Sequence, residues 1–162
     1  MTQNSEPLDI LLQEKFSSKD GFVHAHIINY PDILVPSAKL LDTARTLRDE
    51  FHFDQLRDVV GVDRFTKEHR FEIIYNLYST QTKERLILRV KLDSKKPEVE
   101  SVFSIWSSAD WNEREAYDMF GINFLNHPDL RRIYMMEEFK YYPLRKDYPL
   151  MGLPGAVQLP KK

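Results

Sequence analysis

Five side chains on either side of residue 120 have the types that hydrolases and divalent-metal sites use. They are Glu113, Glu115, Asp118, His127 and Asp129. Carboxylates and an imidazole can hold a divalent cation or exchange protons with a substrate. The spacing does not favour either chemistry, because Arg114 lies one helical turn from Asp118 and would neutralise its charge. We therefore expect no catalytic site and no metal site in this chain.

The composition excludes several kinds of cofactor site. The sequence has no cysteine and five glycines. Without cysteine the chain cannot form disulfides, thiolate zinc sites or iron–sulfur ligation of its own. It also has no glycine-rich phosphate loop and no dinucleotide fingerprint. We expect no cofactor bound to this chain.

Nucleic-acid binding is a second hypothesis, since basic residues alternate with tyrosines after residue 130. The basic residues are Arg131, Arg132, Arg145 and Lys146. Acidic residues interrupt them, namely Glu137, Glu138 and Asp147. The net charge of −2 and the isoelectric point near 6.2 give no broad attraction to a polyanion. We expect no nucleic-acid partner.

The same segment has the composition of a protein interface. Aromatic residues and arginine are enriched at interface cores, and here the candidate anchors are Phe139, Tyr141, Tyr142 and Tyr148. Pro128, Pro143 and Pro149 keep much of the chain extended. We call residues 124–162 the strap and expect it to be a docking segment, with residues 1–123 as a scaffold domain. The alternative is that the strap folds back on its own sheet and completes the core.

A helix over residues 108–120 positions most of these side chains. Ser107 with Asp110 resembles a capping box, and Gly121 suits the first position beyond the helix because glycine tolerates positive φ. Glu113 falls on the apolar side of this helix. A buried charge needs a partner, so we expect Glu113 to be buried and bonded to an arginine, with candidates Arg131, Arg132 and Arg145.

The helix and the strap resemble the signature of one family, the C subunit of the proton-pumping NADH:quinone oxidoreductase (respiratory complex I). The resemblance begins with EREAYDMFGI at residues 113–122 and continues with Phe124, the His127–Pro128 pair and LRRI at 130–133. A second block is YPLRKDYPL at 142–150. Phe139 and Tyr134 depart from the expected tryptophan and leucine or methionine. The residues that carry the resemblance are Glu113, Arg114, Glu115, Tyr117, Asp118, Phe120, Gly121, His127, Pro128, Arg131, Arg132, Pro143, Leu144, Arg145, Lys146, Asp147 and Tyr148.

The resemblance implies a hydrophilic, non-catalytic component of the peripheral arm of the complex. Its partners would be the large quinone-site subunit and other peripheral-arm subunits. Other subunits would carry FMN and the iron–sulfur clusters that move electrons from NADH to quinone, coupled to proton translocation. The implied location is the cytoplasmic side of the bacterial inner membrane, peripheral and held through the complex. The alternative is the equivalent subunit of a related membrane-bound hydrogenase or of a ferredoxin- or coenzyme-dependent dehydrogenase.

The first hundred residues predict an α+β fold in which helices cover a mostly antiparallel sheet. Helices are expected over residues 6–17, with Ser5 as cap, and from residue 37. The clearest strands are Phe71–Tyr78 and Arg85–Leu92, which alternate apolar and polar residues. Shorter strands are expected at 22–28, 33–35, 59–62 and 99–106, with a turn at 30–32. No apolar run approaches the roughly 20 residues that span a bilayer.

Overall fold

The computed structural model describes residues 7–27, 30–65 and 68–149. Its main sheet has the strand order β1 (Val23–Ile27), β2 (Tyr30–Leu34), β5 (Arg85–Leu92), β4 (Phe71–Tyr78) and β3 (Gln55–Asp63). Neighbouring strands are antiparallel except β2 and β5, which are parallel. The α-helices of the described residues are α1 (Leu8–Lys15), α2 (Leu40–Asp49) and α3 (Ala109–Phe120). A second sheet pairs β6 (Glu98–Glu100) with β7 (Asn123–Leu125). The predicted α+β class with a mostly antiparallel sheet is confirmed.

The hairpin of β4 and β5 lies at the centre of the core, and both strands have the predicted bounds. One face of the hairpin is fully buried and comprises Phe71, Ile73, Tyr75, Leu77, Leu86, Leu88, Val90 and Leu92. Tyr75 lies opposite Leu88, and Ile73 opposite Val90. Each such burial stabilises the fold by roughly 1.5–3 kcal/mol. The apolar alternation seen in the sequence is therefore the main source of core burial.

Helices α1 and α2 add their apolar residues to the same core. Leu40, Ala44 and Leu47 of α2 are buried, as is Leu12 of α1. The predicted second helix is thus confirmed, with a short 3₁₀ turn over Ser37–Lys39 before it. None of the described helices is long and apolar enough to cross a bilayer.

Helix α3 rests close to β3 because β3 has a glycine at the contact. A Cβ atom on Gly61 would lie 2.7 Å from Cδ2 of Phe120 and 3.5 Å from Cβ of Ala116. A larger residue would push the helix away from the strand. Gly61 therefore sets the position of the helix that carries the signature residues.

Two predicted boundaries are wrong for physical reasons. The predicted turn at 30–32 belongs to β2, because proline is tolerated near the start of a strand and Pro31 is its second residue. The predicted strand 99–106 ends at Glu100, because Ser101 and Val102 turn to donate hydrogen bonds to Glu113 of α3.

Two smaller differences concern element ends. β3 is longer than the predicted strand 59–62, and α1 begins at Leu8 rather than residue 6. The predicted cap Ser5 and the last residue of the predicted strand 22–28 lie outside the described residues.

Candidate protein interaction site

The end of α3 agrees with the sequence prediction, but its beginning does not. The helix stops at Phe120, and Gly121 follows with φ of 72° while its N–H donates to the carbonyl of Tyr117. The capping box predicted for Ser107 and Asp110 is not observed: the N–H of Asp110 donates to the backbone carbonyl of Ser107, and the N-cap residue is Ser108. The side chain of Ser108 makes no capping hydrogen bond, and its hydroxyl donates to the carbonyl of Leu56 at 2.9 Å. The amino end of the helix is thus attached to β3 rather than closed on itself.

Asp118 joins α3 to the strap. One carboxylate oxygen accepts the backbone N–H groups of Ile133, Tyr134 and Met135 at 3.0, 2.7 and 2.9 Å. The other accepts Nη1 of Arg132 at 2.7 Å. Burial alone would raise the pKa of Asp118, but these donors outweigh it and hold the pKa below its ordinary value. An ionised carboxylate therefore organises the strap from residue 132 to residue 135.

Glu113 is completely buried, as predicted, but its partner is not an arginine. Its carboxylate accepts the hydroxyl of Ser101 at 2.5 Å and the N–H of Val102 at 2.8 Å. Burial raises the pKa of Glu113 to about 7, against the opposing effect of these two hydrogen bonds. The protein thus neutralises this group by favouring its protonated form rather than by an ion pair.

The three arginines expected near Glu113 have other partners. Arg132 pairs with Asp118, Arg131 pairs with Asp129 at 3.0 Å, and Nε of Arg145 donates to the carbonyl of Phe120 at 2.6 Å. The prediction that one of these arginines pairs with Glu113 is therefore wrong, since each of them has a different partner.

His127 lies beside the carboxyl groups of α3. Its Nδ1 accepts the N–H of Asp129 at 3.1 Å, so the neutral ring has its proton on Nε2. Nε2 lies 3.6 Å from Asp110 and 3.8 Å from Glu113. Burial lowers the pKa of His127, which favours this neutral form. The backbone hydrogen bond is the role that a histidine before a proline usually has.

The strap makes a second attachment at the carboxyl end of α3. The guanidinium groups of Arg132 and Arg145 both pack over the ring of Tyr142, at 5.2 and 4.3 Å from its centroid. The N–H of Leu144 donates to the carbonyl of Met119 at 3.2 Å. A Cβ on Gly121 would lie 2.5 Å from Cζ of Tyr142. Gly121 is thus required both for its positive φ and for the close approach of the strap.

A third attachment ties the strap to the main sheet. Asp63, at the end of β3, accepts the N–H of Lys146 at 2.8 Å and pairs with Arg70 at 2.7 Å. Arg70 also pairs with Asp147 at 2.9 Å. Burial opposes ionisation of Asp63, but Arg70 and the backbone donors lower its pKa to about 2. The second signature block therefore fastens the strap to the end of β3 and to Arg70, the residue before β4.

The other signature residues have structural or surface positions. Glu115 is exposed and accepts the hydroxyl of Tyr134 at 3.2 Å. Arg114 packs over the ring of Trp111 at 4.7 Å. Four further signature residues are partly buried, namely Tyr117, Phe120, Pro143 and Tyr148. Pro128 and Leu144 are exposed.

The five candidate catalytic residues do not converge on one open site. The carboxylate of Asp118 already accepts hydrogen bonds from the strap. Glu113 is buried, and Glu115 is exposed to solvent. Within residues 7–27, 30–65 and 68–149, no group of three His, Asp or Glu side chains is arranged to hold a metal ion.

The outward surface of α3 and the strap is rich in exposed apolar side chains. They are Trp111, Tyr134, Met136, Tyr141 and Leu144, with Trp111 63% and Tyr134 65% exposed. Of the predicted anchors, Phe139 is buried and packs against Tyr141 and Tyr148. The exposure of one of these side chains could be predicted from the sequence, because Trp111 falls on the polar side of the helix.

Comparisons with known proteins identify the relatives of this fold. Residues 33–153 match the family model described as the 30 kDa subunit of respiratory-chain NADH dehydrogenase. The C subunit of the NADH-quinone oxidoreductase of Geotalea uraniireducens is 38% identical over 152 residues, which cover 94% of this chain and 92% of that protein. The C 2 subunit of the same enzyme in Rhizobium meliloti is 45% identical over 120 residues, covering 73% of this chain and 65% of the relative.

Two solved structures share the architecture. The trypsin-resistant fragment of Nqo5 superposes with a TM-score of 0.65 and 28% identity, over 76% of this chain and 98% of that one. A chain of the archaeal membrane-bound sulfane sulfur reductase gives a TM-score of 0.74 over 88% of this chain and 84% of its own, but at 20% identity it shows the fold alone.

Proposed function

Since this chain belongs to the family of the 30 kDa subunit of respiratory-chain NADH dehydrogenase, we propose that it is the non-catalytic C subunit of an NADH-quinone oxidoreductase. It forms part of the peripheral arm and supports the large quinone-site subunit. Electron transfer from NADH to quinone, coupled to proton translocation, is the activity of the whole complex. FMN and the iron–sulfur clusters lie on other subunits. Through those subunits the chain is held at the cytoplasmic side of the bacterial inner membrane.

The observation that carries this proposal is the two-sided construction of α3 and the strap. The inner side is fastened by Asp118, Asp63 and Arg145. The outer side presents Tyr134, Met136 and other large apolar groups to solvent. Exposed aromatic and other large apolar side chains are typical of protein interfaces, where rigid aromatic anchors contribute most of the binding energy. The strap over residues 124–162 is therefore the docking segment, and its described part, residues 124–149, is held against the scaffold before the partner arrives.

Substitution of two exposed anchors tests the proposal without disturbing the inner side. The double variant Tyr134→Ser, Met136→Ser keeps the backbone groups that Asp118 binds. We expect it to fold with an unchanged thermal midpoint but to fail to co-purify with the large subunit. The matched control is Ile10→Ser, Val23→Ser, which removes apolar groups that are 46% and 53% exposed on α1 and β1. Normal recovery of the complex with the Tyr134 and Met136 variant would refute the docking role.

A further inference from the structure

A row of alternating arginine and tyrosine crosses the solvent side of the main sheet, at the end where β4 turns into β5. It comprises Arg57 of β3, Tyr78 of β4, Arg85 of β5 and Tyr30 of β2, and we call it the Arg–Tyr row. Tyr78 lies directly opposite Arg85. The guanidinium of Arg57 lies 4.4 Å from the ring centroid of Tyr78, and that of Arg85 lies 5.3 Å from the ring of Tyr30. With Asn76 and Ile87 these residues border an open cavity of about 420 Å³.

A β-bulge places Arg57 in this row. The pairing of β3 with β4 shifts between Leu56 and Asp58, so Arg57 is the extra residue. The bulge lets Leu56 and Val59 both face the core and leaves Arg57 beside Tyr78. Bulges commonly re-aim a side chain in this way. The position of Arg57 is therefore fixed by the backbone and not only by its own rotamer.

On the same side of the sheet, a second row of charged residues pairs its arginines with carboxylates of this chain. Arg89 pairs with Asp32 at 2.7 Å and with Glu72 at 3.2 Å, and Arg64 pairs with Glu72 at 2.7 Å. Two guanidinium groups thus meet two carboxylates. In the part of the chain that the structure describes, neither Arg57 nor Arg85 forms an ion pair, and the residues bordering their cavity include no carboxylate. Among the described residues, the Arg–Tyr row thus presents two guanidinium groups that have no carboxylate in ion-pair contact.

The geometry of the row fits carboxylates. Arg57 and Arg85 stand on strands separated by one other strand, so their backbones are about 10 Å apart. A guanidinium pairs with a carboxylate through two parallel hydrogen bonds, and the tyrosine rings hold each guanidinium in place. A nucleic acid would require a wider basic surface, and the whole chain has a net charge of −2. An extended acidic peptide with two carboxylates about 10 Å apart matches the row.

We propose that the Arg–Tyr row is a second docking site, which binds an acidic segment of another subunit of the assembly. The proposal relies on the proposed function for the source of the segment, but it concerns a different surface. The strap reaches β3 at Asp63, whereas the row uses Arg57. Asp63 lies six positions further along β3 than Arg57, which is about 20 Å. The chain would then join two partners, one at each end of its sheet.

Arginine modification tests whether the row is covered in the assembly. Phenylglyoxal reacts with accessible guanidinium groups, and the modified residues are quantified by mass spectrometry. We expect Arg57 and Arg85 to react in the isolated chain and to be protected at least about tenfold in the intact complex. Arg45, which is exposed on α2 beside Asp42, serves as the reactive reference in the isolated chain. Equal reactivity of Arg57 and Arg85 in both samples would overturn the proposal.

Variants of the row separate it from the strap. The complex with Arg57→Gln, Arg85→Gln should release its acidic partner at lower salt than the wild type, while Arg45→Gln should not change the release. The variant Arg57→Lys, Arg85→Lys keeps the charge and should restore part of the retention, and the thermal midpoint of each isolated variant reports on folding. If only the Tyr134 and Met136 variant weakens assembly, the second site is wrong. If neither does, the proposed function fails as well.

Three probes identify the ligand class for the isolated chain. Hexaglutamate should bind to the wild type. The double variant Arg57→Gln, Arg85→Gln should bind hexaglutamate with about tenfold lower affinity, as expected for two lost charge pairs. Protection of both arginines by inorganic phosphate alone, at the same concentration of charge, would instead indicate a small-anion site. Preferential binding of a single-stranded RNA decamer would indicate a nucleic-acid site. Either of these two results contradicts the proposal.

Discussion

The carboxylate of Asp118 and the guanidinium of Arg132 lie 2.7 Å apart, across the junction between α3 and the strap. The pair is almost entirely withdrawn from solvent, and the same carboxylate accepts three successive backbone N–H groups. An extended segment cannot satisfy its own backbone donors. Asp118 satisfies them from the helix, so that the strap is held in one conformation without regular secondary structure.

Replacing Asp118 with alanine should destabilise the chain by about 3–5 kcal/mol, because it leaves Arg132 uncompensated and three N–H groups unpaired. The measurement is the urea midpoint of the isolated protein. Asp42→Ala provides the control, since Asp42 is exposed and its contact with Arg45 is 3.5 Å long; we expect a change of at most about 0.5 kcal/mol there. Equal effects of the two substitutions would contradict the role given to Asp118.

Glu113 should make stability depend on pH. Its pKa in the folded protein is about 7, above its ordinary value of 4.5. Between these values the folded state keeps a proton that the unfolded state has lost, so the free energy of unfolding falls as pH rises from about 4.5 to 7 and is level above that. The total change is of order 3 kcal/mol. His127 acts in the opposite direction, since its pKa is lowered.

Comparing the wild type with Glu113→Gln isolates this contribution. Glutamine resembles the protonated acid, so the two proteins should be similarly stable at pH 5, and the variant should be the more stable at pH 8. Glu113→Ala should be less stable at both, because it leaves the buried donors of Ser101 and Val102 without an acceptor. Lys39→Ala, on a half-exposed surface position, is the control. A parallel pH dependence in the wild type and Glu113→Gln would rule out this assignment.

Local sequence pattern predicted the parts of the fold that depend on local forces. The alternation in β4 and β5 gave both strands with their bounds, and the glycine after Phe120 gave the end of α3. The β2–β5 pairing is parallel and joins residues far apart in sequence. Nothing in the strand pattern specifies which distant strand becomes the neighbour, so this part of the topology was not predictable.

The signature residues were identified from the sequence, but their pairing was not. The helical period correctly predicted that Glu113 is buried, because the position of a residue on the apolar face follows from that period. It could not show that Ser101 and Val102 would turn toward that carboxylate, or that Asp118 would take Arg132. Such pairs depend on the path of an irregular segment, which hydrophobic period does not encode.

Gly121→Ala should be more harmful than Gly21→Ala, although both glycines have positive φ, 72° and 88°. The left-handed conformation costs a residue with a side chain roughly 1–2 kcal/mol in either place. At Gly121 the new Cβ would also meet Tyr142 at 2.5 Å, whereas at Gly21 its neighbour is Pro36 at 3.2 Å. Thermal midpoints of the two variants make the comparison. A larger loss for Gly21→Ala would show that the strap yields freely at Gly121.

The isolated chain should be colourless, free of stoichiometric metal and inactive with NADH and quinones. The reason is the absence of cysteine and of a phosphate-binding loop. Absorbance spectra, metal analysis and turnover assays on the purified protein are the measurements. Bound flavin, one equivalent of metal or intrinsic dehydrogenase activity would contradict the assignment of a supporting subunit.

Truncation after Met136 separates the docking role of the strap from its stabilising role. The truncated chain keeps the N–H groups of Ile133, Tyr134 and Met135 on Asp118, so the start of the strap should remain in place. It loses the contact of Lys146 with Asp63 and the contact of Asp147 with Arg70, so we expect a lower thermal midpoint but a single cooperative transition. Lys146→Pro is a full-length control, because it removes the N–H that Asp63 accepts, together with the lysine side chain, and keeps the rest of the strap. If docking resides in the strap, the truncated chain should fail to join the large subunit while Lys146→Pro still joins it. Normal incorporation of the truncated chain into the complex would mean that the strap after Met136 completes the fold and does not dock.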